Sequence, residues 1–410
     1  MPIAVMRETA EPRGRVPSEG RHRVAVITPL FPPGVRGGGP IRTLGALVRN
    51  APAWAGVHVF TNSRDHGATV DMVPVTDRPS TWEGVDVTYA RTHTRRGLTA
   101  LYTGLSRFRP DVLYVNSYWS LAFSQWVMVL RRLGVLGRPA VVIAPRGEFA
   151  PAALAHHRAR KRLLRTANRL SGTHAGVVWH ASSPAEADDV RRYIGAHARV
   201  IIRENDSLLP VHALPADPGR PVSPVGTLRA VFLGRLVEHK GPHLAAVAAA
   251  GLGPGVSLDL YGPEEDRSIV ERLKAIEADA GGRIRLRGTV ANEDVRALLQ
   301  EYDVLVLPTR SENFGHVLAE ALSASVPVIL PDVTPWTQAV VASGAGRVVE
   351  RTALEIRAAL QELADLDGEA LLSLRQAAGR AYEQWRRASL DAPHLFDLFR
   401  EVGVIPAERP

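Results

Sequence analysis

Two cations and two carboxylates in the second half of the chain have the types and the spacing needed to hold a diphosphate and the groups attached to it. Arg235 and Lys240 lie five residues apart, after an apolar run and a glycine. Cations at a strand end suit a leaving diphosphate, because its negative charge grows as its bond to carbon breaks. Glu312 and Glu320 follow, with seven residues between them. The alternative for the two cations is that both are solvated surface charges.

The stretch 307–322 predicts a buried strand, a polar loop and a helix that begins near Gly315. Backbone amides in the first turn of a helix have no partner within the helix, and the helix dipole makes that end positive. Such a turn is a natural cradle for a diphosphate, and a glycine lets the backbone approach it closely. The amides predicted to form the cradle belong to Asn313, Phe314, Gly315 and His316.

The two carboxylates bracket this turn. Glu312 precedes it at the strand end, within reach of a ligand above the sheet. Glu320 lies further along the helix, where its oxygens can accept hydrogen bonds from ribose hydroxyls. In the alternative interpretation, Glu312 caps the helix and Glu320 lies on the surface.

Three consecutive glycines follow the first predicted strand. Gly37, Gly38 and Gly39 lack side chains, so a phosphate or a facing domain can pass close to the backbone. The run is not the dinucleotide-binding Gly-x-Gly-x-x-Gly pattern, because Arg42 stands where the third glycine should be. We predict that Gly38 and Gly39 contact the same ligand; by itself the run is also consistent with a flexible loop.

Short β-branched runs alternate with helix-like segments along most of the chain. This alternation predicts an α/β fold with parallel sheets covered by helices on both faces. A Ser-x-x-Glu capping box at Ser183 predicts the start of one helix. The strands predicted in the first half are 23–28, 111–116, 140–144, 176–180 and 199–202. Those predicted in the second half are 229–233, 257–261, 283–287, 303–308, 327–330 and 346–349.

The length of 410 residues suggests two domains. Each half opens with a strand, a glycine-bearing loop and a helix, so we expect two doubly wound Rossmann-like domains facing across a cleft, with ligands at the carboxyl ends of the strands. A stretch rich in proline and glycine separates the halves. The predicted segments are a disordered tail over 1–20, a first domain over 21–206, a linker over 207–228, a second domain over 229–384 and a C-terminal helix over 385–410.

The composition restricts the class of protein. The chain has no cysteine, which excludes disulfides, thiolate nucleophiles and zinc–thiolate sites and favours a reducing compartment. Its first twenty residues hold no apolar stretch, and no apolar run reaches the ~18 residues that span a bilayer. We therefore predict a cytoplasmic protein. The net charge of +8 favours anionic partners, unless the arginine-rich composition has no particular target.

Taken together, these segments resemble the retaining glycosyltransferases of family 4, which have the GT-B fold. The resemblance is clearest over 229–350, in the Gly-Arg-Leu-x-x-x-Lys-Gly element, the Glu-x7-Glu element and the run Pro-Val-Ile at 327–329. It implies transfer of a sugar from a nucleoside diphosphate to an acceptor hydroxyl, with retention at the anomeric carbon. The implied donor is a UDP-sugar first and a GDP-sugar second, and neither a metal nor a cofactor is expected.

The resemblance also implies roles for individual residues. Arg235 and Lys240 bind the donor diphosphate, Glu312 faces the donor sugar and Glu320 contacts the ribose. The loop that contains Val290 corresponds to the place where the family holds the base. The acceptor is a hydroxyl of a glycan, a glycolipid or a secondary metabolite.

The chain departs from the family pattern at several positions. Ser325 and Val326 stand where a glycine usually precedes Pro-Val-Ile, so Ser325 either adopts unusual backbone geometry or ends the helix differently. In place of the usual His-Gly of the first domain, the chain has Pro-Arg-Gly, as some subgroups do. We predict that Arg146 lies near the phosphate or the acceptor and that Glu148 helps to bind the acceptor. The structural alternatives are a buried Arg–Glu pair and a turn that shapes the loop.

A basic segment over 156–165 predicts a helix with one cationic side. Relatives in the family often act on lipid-linked acceptors, so one hypothesis is peripheral contact with an anionic membrane at the inner face; the other is a solvated basic face. The adjacent His156 and His157 have no neighbouring carboxylate cluster, so we expect no metal there. Nucleic acid is not an expected partner.

Two rival functions remain open at this point. A nucleotide-sugar epimerase would bind the same donor on the same architecture, but it needs acid–base groups that act on the sugar ring. A non-enzymatic basic protein would bind nucleic acid or membrane in a salt-sensitive way without responding to nucleotides.

Overall fold

The computed structural model describes residues 22–36, 38–76, 78–155, 158–217 and 223–405. The chain divides into two compact units, the first comprising Met1–Ser207 and Pro393–Pro410 and the second Leu208–Ala392. The tail predicted over 1–20 lies outside the described residues, as do Gly37, His156 and His157.

Eight strands form the sheet of the first unit: β1 His22–Ile27, β2 Ala55–Asn62, β3 Ser80–Trp82, β4 Val85–Ala90, β5 Val112–Asn116, β6 Ala140–Ala144, β7 Val178–Ala181 and β8 Arg199–Ile202. Their order is β3-β4-β2-β1-β5-β6-β7-β8, and only the pair β3–β4 is antiparallel. The central strands β1, β5 and β6 are almost continuous apolar runs because both of their faces are buried. Their carboxyl ends therefore share one edge of the sheet.

Strands β2, β3 and β4 do not appear among the strands predicted from the sequence. In β2, the polar residues His58 and Thr61 interrupt the apolar pattern. Tertiary packing accommodates His58, whose Nε2 lies 2.8 Å from the hydroxyl of Thr88 in β4 and whose ring packs against that of Phe108 with centroids 5.1 Å apart. Burial lowers the pKa of His58 to about 4, so this ring is neutral in the folded unit.

Seven helices of the first unit lie in the described residues: α1 Gly39–Arg49, α2 Arg95–Phe108, α3 Trp126–Arg132, α4 Pro151–Ala155, α5 Arg158–Ser171, α6 Pro184–Ile194 and, near the end of the chain, α14 Leu395–Glu401. Alternate residues of β1 face opposite layers. Val24 and Val26 belong to the core that contains α1 and α14, and Ala25 and Ile27 to the core that contains α2 and α3. The sheet is thus covered on both faces, as the alternation of elements predicts.

Six strands form the sheet of the second unit: β9 Leu228–Leu233, β10 Val256–Tyr261, β11 Ile284–Gly288, β12 Val304–Val306, β13 Val328–Leu330 and β14 Gly346–Val348. All neighbouring pairs are parallel, in the order β11-β10-β9-β12-β13-β14. The order reverses between β9 and β12, and ligands of such sheets bind at the carboxyl ends of the strands beside this switch point. All six strands were predicted from the sequence to within a few residues.

The helices of the second unit are α7 Pro242–Ala250, α8 Arg267–Asp279, α9 Val295–Gln300, α10 His316–Ser323, α11 Thr337–Ser343, α12 Ala353–Ala364 and α13 Gly368–Asp391. They contribute to one continuous apolar core with the strands. The long helix α13 packs on α10 and α11, and its residue Tyr382 is fully buried. This packing holds the turn before α10, which carries the predicted site, against the body of the unit.

The chain ends differently from the single helix predicted over 385–410. Trp385 belongs to α13 of the second unit, and that helix stops at Asp391. Ala392 adopts extended backbone, and Pro393 lacks the N–H that continuing the helix requires. A separate helix, α14, buries Phe396 and Phe399 in the core of the first unit. Residues 406–410 lie outside the described part.

The segment between the two sheets has no regular element in its described residues, but it is attached to the second unit. Tyr382 donates a hydrogen bond from its hydroxyl to the carbonyl of Pro210, and Arg375 Nε donates to the carbonyl of Ala216 at 2.8 Å. In the ranges that the structure describes, no helix combines the length and the apolar character that crossing a bilayer requires.

Candidate functional site

The loops that follow the strands of the second sheet bring together most of the residues singled out in the sequence. Arg235 follows β9, and a 3₁₀ turn, Glu238–Lys240, leads from it into α7. That turn ends at Gly241, with φ +73°, and a Cβ there would lie 2.4 Å from the carbonyl oxygen of Pro308. Only glycine fits such an approach, so the loop after β9 lies directly against the loop after β12.

Lys240 and Glu312 meet across these two loops. The ammonium of Lys240 donates a hydrogen bond to a carboxylate oxygen of Glu312 and forms an ion pair with it. Only 17% of the Lys240 side chain and 9% of the Glu312 side chain are exposed. The alternative role of Glu312 as a helix cap is wrong, because the N-cap of α10 is Gly315 and the partner of the Glu312 carboxylate is Lys240.

Arg235 lies at the rim of the same edge. Its Nη1 donates to Glu265 Oε2 at 3.1 Å, and both side chains are largely exposed. An exposed pair of this kind contributes little stability. Arg235 therefore remains able to exchange its carboxylate partner for a ligand.

Two more arginines, which sequence reasoning missed, complete a cationic cluster. Arg310 pairs with Glu238 at 3.1 Å, and Arg351 donates from Nε to the carbonyl of Pro308 at 2.7 Å. The sequence could have pointed to both. Arg351 lies two residues after the last predicted strand, and Arg310 lies in the loop already singled out.

The pKa of His239 reports the field of this cluster. Burial first, and then the neighbouring charges of Lys240, Arg235, Arg351 and Arg310, together lower this pKa to about 4. His239 is therefore neutral near pH 7, and the edge around it has a positive potential suited to phosphate.

The helix predicted near Gly315 begins at His316. Gly315 has φ +78°, and its carbonyl accepts the amide of Leu318 at 2.9 Å. Phe314 is buried and its carbonyl accepts the indole N–H of Trp336 at 2.7 Å. These contacts fix the turn that contains Asn313 and His316, so the predicted cradle is a rigid part of the second unit.

Glu320 is buried in α10, so the alternative of a surface position for it is wrong. Burial lowers the pKa of the nearby Arg296, and the charges of Tyr382 and Glu320 partly oppose this decrease. Val290 lies in the loop after β11 and packs, partly buried, against the core of the unit. The predicted contacts of Glu320 with ribose and of Val290 with the base stay predictions.

The structure shows how Ser325 takes the place of the glycine that usually precedes Pro-Val-Ile in the family. Its φ is +55°, so it occupies the left-handed backbone conformation that a glycine adopts easily. Its hydroxyl donates to the carbonyl of Leu214 at 2.6 Å. Gly379 of α13 lies opposite, where an added Cβ would stand 2.6 Å from the Ser325 hydroxyl. The sequence alternative of unusual geometry is the correct one.

In the first unit, Gly38 is the N-cap of α1 and Gly39 its first residue. Gly38 has φ +62°, and a Cβ there would meet no atom within 4 Å. The preceding turn is held by Asp65, whose Oδ2 accepts the amides of Val35 at 2.8 Å and Arg36 at 3.0 Å. Gly38 and Gly39 thus form the start of a helix, with open space beside Gly38, and their contact with a donor stays a prediction.

Arg146 follows β6 at the carboxyl edge of the first sheet. It has a left-handed backbone, with φ +56°. Its guanidinium donates to Asn116 Oδ1 at 2.7 Å, to the hydroxyl of Tyr114 at 2.8 Å and to Asn205 Oδ1. The alternative of a buried Arg146–Glu148 pair is wrong, because all three acceptors are neutral.

Glu148 shapes the neighbouring loop after β5. Its carboxylate accepts the Ser117 hydroxyl at 2.7 Å and the amides of Tyr118 at 2.6 Å and Trp119 at 3.1 Å. Burial raises the pKa of Glu148, and these hydrogen bonds oppose the rise. The structural alternative of a loop-shaping residue fits Glu148, while its predicted contact with the acceptor stays a prediction.

Behind Arg146 lies a buried polar chain that sequence reasoning missed. The Tyr114 hydroxyl is 2.8 Å from His180 Nδ1, and His180 Nε2 is 2.9 Å from the carbonyl of Arg203. A carbonyl only accepts, so Nε2 carries the proton and Nδ1 accepts from Tyr114. Burial and the nearby charge of Arg146 lower the pKa of His180 to about 3, so the ring is neutral and orients Tyr114 toward Arg146.

The described part of the basic segment, from Arg158 onward, opens α5, which has no buried residue. Its polar side faces the unit: Lys161 lies over the Trp119 ring at 5.2 Å and Arg165 over the Tyr193 ring at 4.6 Å. Two of its three leucines are exposed, with 72% of Leu163 and 84% of Leu170 accessible, while Leu164 is partly buried. Among the residues that the structure describes, no group of three or more His, Asp or Glu side chains is placed to hold a metal ion.

Comparison with known proteins assigns a family to most of the second unit. Residues 217–383 match the model of the glycosyl transferases group 1. This match confirms the resemblance predicted for 229–350. It covers the cationic cluster, Glu312 and the turn before α10.

Two curated relatives match over the same half. The GDP-mannose:cellobiosyl-diphosphopolyprenol alpha-mannosyltransferase of Xanthomonas oryzae pv. oryzae is 31% identical over 156 residues, which are 37% of this chain and 41% of that protein. The D-inositol 3-phosphate glycosyltransferase of Corynebacterium urealyticum is 28% identical over 192 residues, which are 44% of each chain. The chain thus spans less than half the length of the curated relatives it matches.

A solved structure matches along nearly the whole chain. The sucrose-phosphate synthase of Thermosynechococcus elongatus is 18% identical, covers 93% of this chain and 99% of its own, and gives a TM-score of 0.69. At this identity the likeness speaks for the fold alone. With the two parallel sheets described above, it confirms the predicted α/β fold of GT-B type, built from two doubly wound units.

Proposed function

We propose that this chain, whose residues 217–383 match the glycosyl transferases group 1, transfers a sugar from a nucleoside diphosphate to an acceptor hydroxyl, with retention at the anomeric carbon. The observation that carries the proposal is the edge of the second sheet where Lys240 and Glu312 pair beside a cluster of arginines. This edge offers cations for the departing diphosphate and a carboxylate for the sugar, the two fragments that form when the donor's glycosidic bond breaks.

The cations act on the leaving group. As the bond from the sugar to the diphosphate breaks, negative charge grows on the phosphate oxygens. Lys240 and Arg235 stabilise that charge more in the transition state than in the ground state, which is the condition for a faster reaction. Arg310 and Arg351 add to the potential without leaving their present partners. In this mechanism the protein supplies the charge stabilisation, and no metal is required.

Glu312 acts on the other fragment. The anomeric carbon gains positive charge as the diphosphate departs, and a fixed carboxylate stabilises it. Lys240 holds that carboxylate and at the same time belongs to the diphosphate site, so one ion pair links the two ends of the breaking bond. The leaving phosphate oxygen accepts the proton of the acceptor hydroxyl, which then attacks from the same face and gives retention.

For the donor we keep UDP-sugar as first choice and GDP-sugar as second. The name of the Xanthomonas relative gives GDP-mannose, which makes the guanine nucleotide a serious candidate. The names of both curated relatives give acceptors that carry phosphate, namely a diphosphopolyprenol-linked sugar and inositol phosphate. We propose an acceptor hydroxyl of a glycan, a glycolipid or a secondary metabolite.

Helix α5 exposes two leucines beside its arginines, and this surface supports a peripheral contact with an anionic lipid surface at the cytoplasmic face. Between Glu148 and Glu186 the chain has no acidic residue, while α5 carries five arginines and one lysine. Apart from Lys161 and Arg165, which lie over rings of the unit, the charged residues of α5 are exposed together with Leu163 and Leu170. Arginines attract anionic headgroups and leucines enter the acyl boundary, which is the pattern of helices that lie in a membrane interface.

This contact is tested by sedimentation with vesicles. Replacing Leu163 and Leu170 by serine should abolish binding to vesicles of phosphatidylglycerol at low salt. The control replaces the exposed leucines Leu354 and Leu390 of the second unit in the same way and should bind like the parent. Equal binding of both double variants would remove α5 from the contact.

The transferase proposal is tested by thermal unfolding with UDP, GDP, ADP and dTDP, each with a chelator present. A nucleotide at 100 times its Kd stabilises the folded state by about 2.7 kcal/mol. We expect a higher Tm with one of them despite the chelator, and no gain in the Lys240→Ala variant. If none of the four changes the Tm, the proposal fails and the basic binding protein takes its place.

A second assay separates transfer from epimerisation. The donor sugar of the stabilising nucleotide is incubated with and without candidate acceptors, and the products are identified by NMR. We expect a glycoside with the anomeric configuration of the donor and no change of the donor when the acceptor is omitted. An epimer formed without acceptor would favour the nucleotide-sugar epimerase.

A further inference from the structure

A cavity of about 460 Å³ opens at the amino edge of the sheet of the first unit. Its walls come from the beginnings of β1, β5 and β6 and from the ends of α2 and α3. The residues that line it are Arg23, Ser106, Arg109, Pro110, Asp111, Val135, Leu136, Gly137, Arg138 and Pro139. Strand β5 alone, five residues long, places this edge about 16 Å from the carboxyl edge that holds Arg146. The cavity is therefore separate from the site described above.

The walls carry three guanidinium groups and one carboxylate. That carboxylate, Asp111, is already engaged: its Oδ2 accepts the amide of Arg23 at 2.7 Å and its Oδ1 lies 3.7 Å from Arg23 Nη2. Arg109 and Arg138 are both exposed toward solvent. The cavity thus has an excess of two positive charges, which favours an anion.

Two carbonyls of the walls already have donors. The carbonyl of Val135 accepts the hydroxyl of Ser106 at 3.1 Å, and the carbonyl of Pro139 accepts Arg131 Nε at 3.0 Å. By contrast, Arg23 Nε is buried and has no hydrogen-bond partner among the described residues. A buried donor without a partner costs stability, so it calls for an acceptor that a ligand would bring.

Arg109 has a left-handed backbone conformation. It is the C-cap of α2 with φ +49°, and its amide donates to the carbonyl of Ser106 at 3.2 Å. A non-glycine residue pays a free-energy cost in this conformation, and Pro110 directly after it narrows the choice of backbone further. Left-handed residues commonly end helices, and here this geometry fixes where the Arg109 side chain leaves the backbone.

We propose that this cavity binds the phosphate monoester of a small molecule, with the dianionic phosphate on Arg109, Arg138 and Arg23. Guanidinium groups bind phosphate through paired, charge-assisted hydrogen bonds. The volume is that of a pocket for a small organic ligand, which a bare phosphate would leave mostly empty. Val135 and Leu136 supply apolar wall for the carbon part of the ligand. The ligand is either a soluble phosphomonoester or the headgroup of a phosphatidic-acid lipid.

The test measures binding of glycerol 3-phosphate by calorimetry, with UDP and GDP present to occupy the donor site. In parallel, sedimentation measures binding to vesicles that contain phosphatidic acid, against vesicles with the same charge density of the phosphodiester phosphatidylglycerol. The variant carries Arg109→Gln and Arg138→Gln. The matched control carries Arg96→Gln and Arg107→Gln, which remove two exposed charges of α2 that do not line the cavity.

We expect the cavity variant to weaken binding of one phosphomonoester probe by about tenfold or more, and the control to stay within about twofold. A loss with glycerol 3-phosphate identifies a soluble ligand. A loss with phosphatidic acid vesicles alone, and not with phosphatidylglycerol vesicles, identifies a lipid headgroup. Equal affinities of parent, variant and control for both probes, or no binding of either probe to the parent, would overturn the proposal. These outcomes do not depend on sugar transfer, so the proposed function stands or falls separately.

Discussion

Lys240 and Glu312 come from different loops, and their contact is the smallest element of the proposed mechanism. Each charge is mostly withdrawn from solvent, and each is balanced by the other. Removing one partner therefore leaves the other charge buried without compensation, which costs far more than losing an exposed pair. Substitutions that keep shape are consequently more informative here than truncations.

Glu312→Gln keeps the size of the side chain and an oxygen that accepts from Lys240, but removes the negative charge. We expect most of kcat to be lost, with the Kd of the nucleotide within a few-fold of the parent, because the charge is needed at the sugar and not at the nucleotide. Steady-state kinetics and calorimetry measure the two quantities. The control is Glu265→Gln, which affects only the exposed partner of Arg235. Unchanged turnover of Glu312→Gln would refute the role of Glu312.

Arg235→Ala or Lys240→Ala should lower kcat/KM by an amount equivalent to ~2.7–4 kcal/mol, the loss expected when one charge-stabilising donor is removed from a transition state. Lys240→Ala should also destabilise the fold, because the carboxylate of Glu312 then lacks its partner. Kinetics together with urea unfolding separate the two effects. An Arg235→Ala variant with the kcat/KM of the parent would place Arg235 outside the site.

Arg146 illustrates how a side chain is positioned by neutral partners. Arg146→Lys keeps the charge but offers no planar fork to serve Asn116, Tyr114 and Asn205 together. We expect roughly 1–3 kcal/mol of lost stability from unsatisfied acceptors, measured by urea unfolding. Arg146→Gly also loses the fork but relieves the left-handed backbone, so it should be less destabilised than Arg146→Ala. The opposite ranking would show that the backbone strain is not significant.

At the scale of elements, the end of α10 and the middle of α13 are fitted to each other through Ser325 and Gly379. Ser325→Ala loses the hydrogen bond to Leu214 and keeps the strained backbone, so we expect about 1 kcal/mol of lost stability. Ser325→Gly loses the same bond but relieves the strain, so its stability should be close to that of the parent.

Gly379→Ala should destabilise the second unit, because its new Cβ would lie 2.6 Å from the Ser325 hydroxyl. Combining it with Ser325→Gly removes the clashing atom, so the double variant should recover most of the loss. Urea unfolding of the four proteins gives the coupling free energy. Simple additivity of the two substitutions would mean that the helices do not meet as described.

The elements also show why the sequence predicted the second unit better than the first. Strands β9, β12 and β13 of the second sheet are apolar, and a glycine or proline follows each of them closely, so their pattern is clear. In the first unit, β2 carries His58 at a position that its contacts with Thr88 and Phe108, both distant in the chain, explain. The resemblance to the family suggested one helix over 385–410 that crosses back to the first domain, whereas Ala392, Pro393 and His394 separate α13 from α14.

At the scale of the whole molecule, the buried histidines determine how stability depends on pH. In the folded state the pKa values of His58, His174 and His239 are about 4 and that of His180 is about 3, against 6.5 for an exposed ring. Between these values and 6.5 the unfolded chain binds more protons than the folded one. Stability is therefore fully present above about pH 6.5 and is lost as the pH falls toward 4.

Urea unfolding at pH 7, 6 and 5 measures this dependence. Each such histidine contributes a loss of roughly 1.4 kcal/mol per pH unit in that window. His180→Gln should reduce the slope by the equivalent of about one proton. The buried ring of His180 is neutral in the folded state and takes up its proton only on unfolding. The exposed His66→Gln serves as control and should leave the slope unchanged. A slope that is the same in all three proteins would contradict the assignment of His180.

The sequence by itself determined the alternation of strands and helices, and therefore the α/β class, because apolar runs and glycine-bearing loops are local properties of the chain. It also determined which residue types follow each strand, and thus that Arg235, Lys240 and Glu312 would meet at one edge of a parallel sheet. Local patterns carry both facts, since all strands of such a sheet end on the same side.

Only the tertiary structure decided which of these groups touch. The pairing of Lys240 with Glu312, and the engagement of Arg146 by three neutral acceptors, depend on the spacing of strands that are far apart in the chain. The same is true of the left-handed Ser325 against Gly379 and of the outward leucines of α5. Burial, and with it the pKa of a histidine or the charge balance of a cavity, results from packing many segments together, and no single segment contains that information.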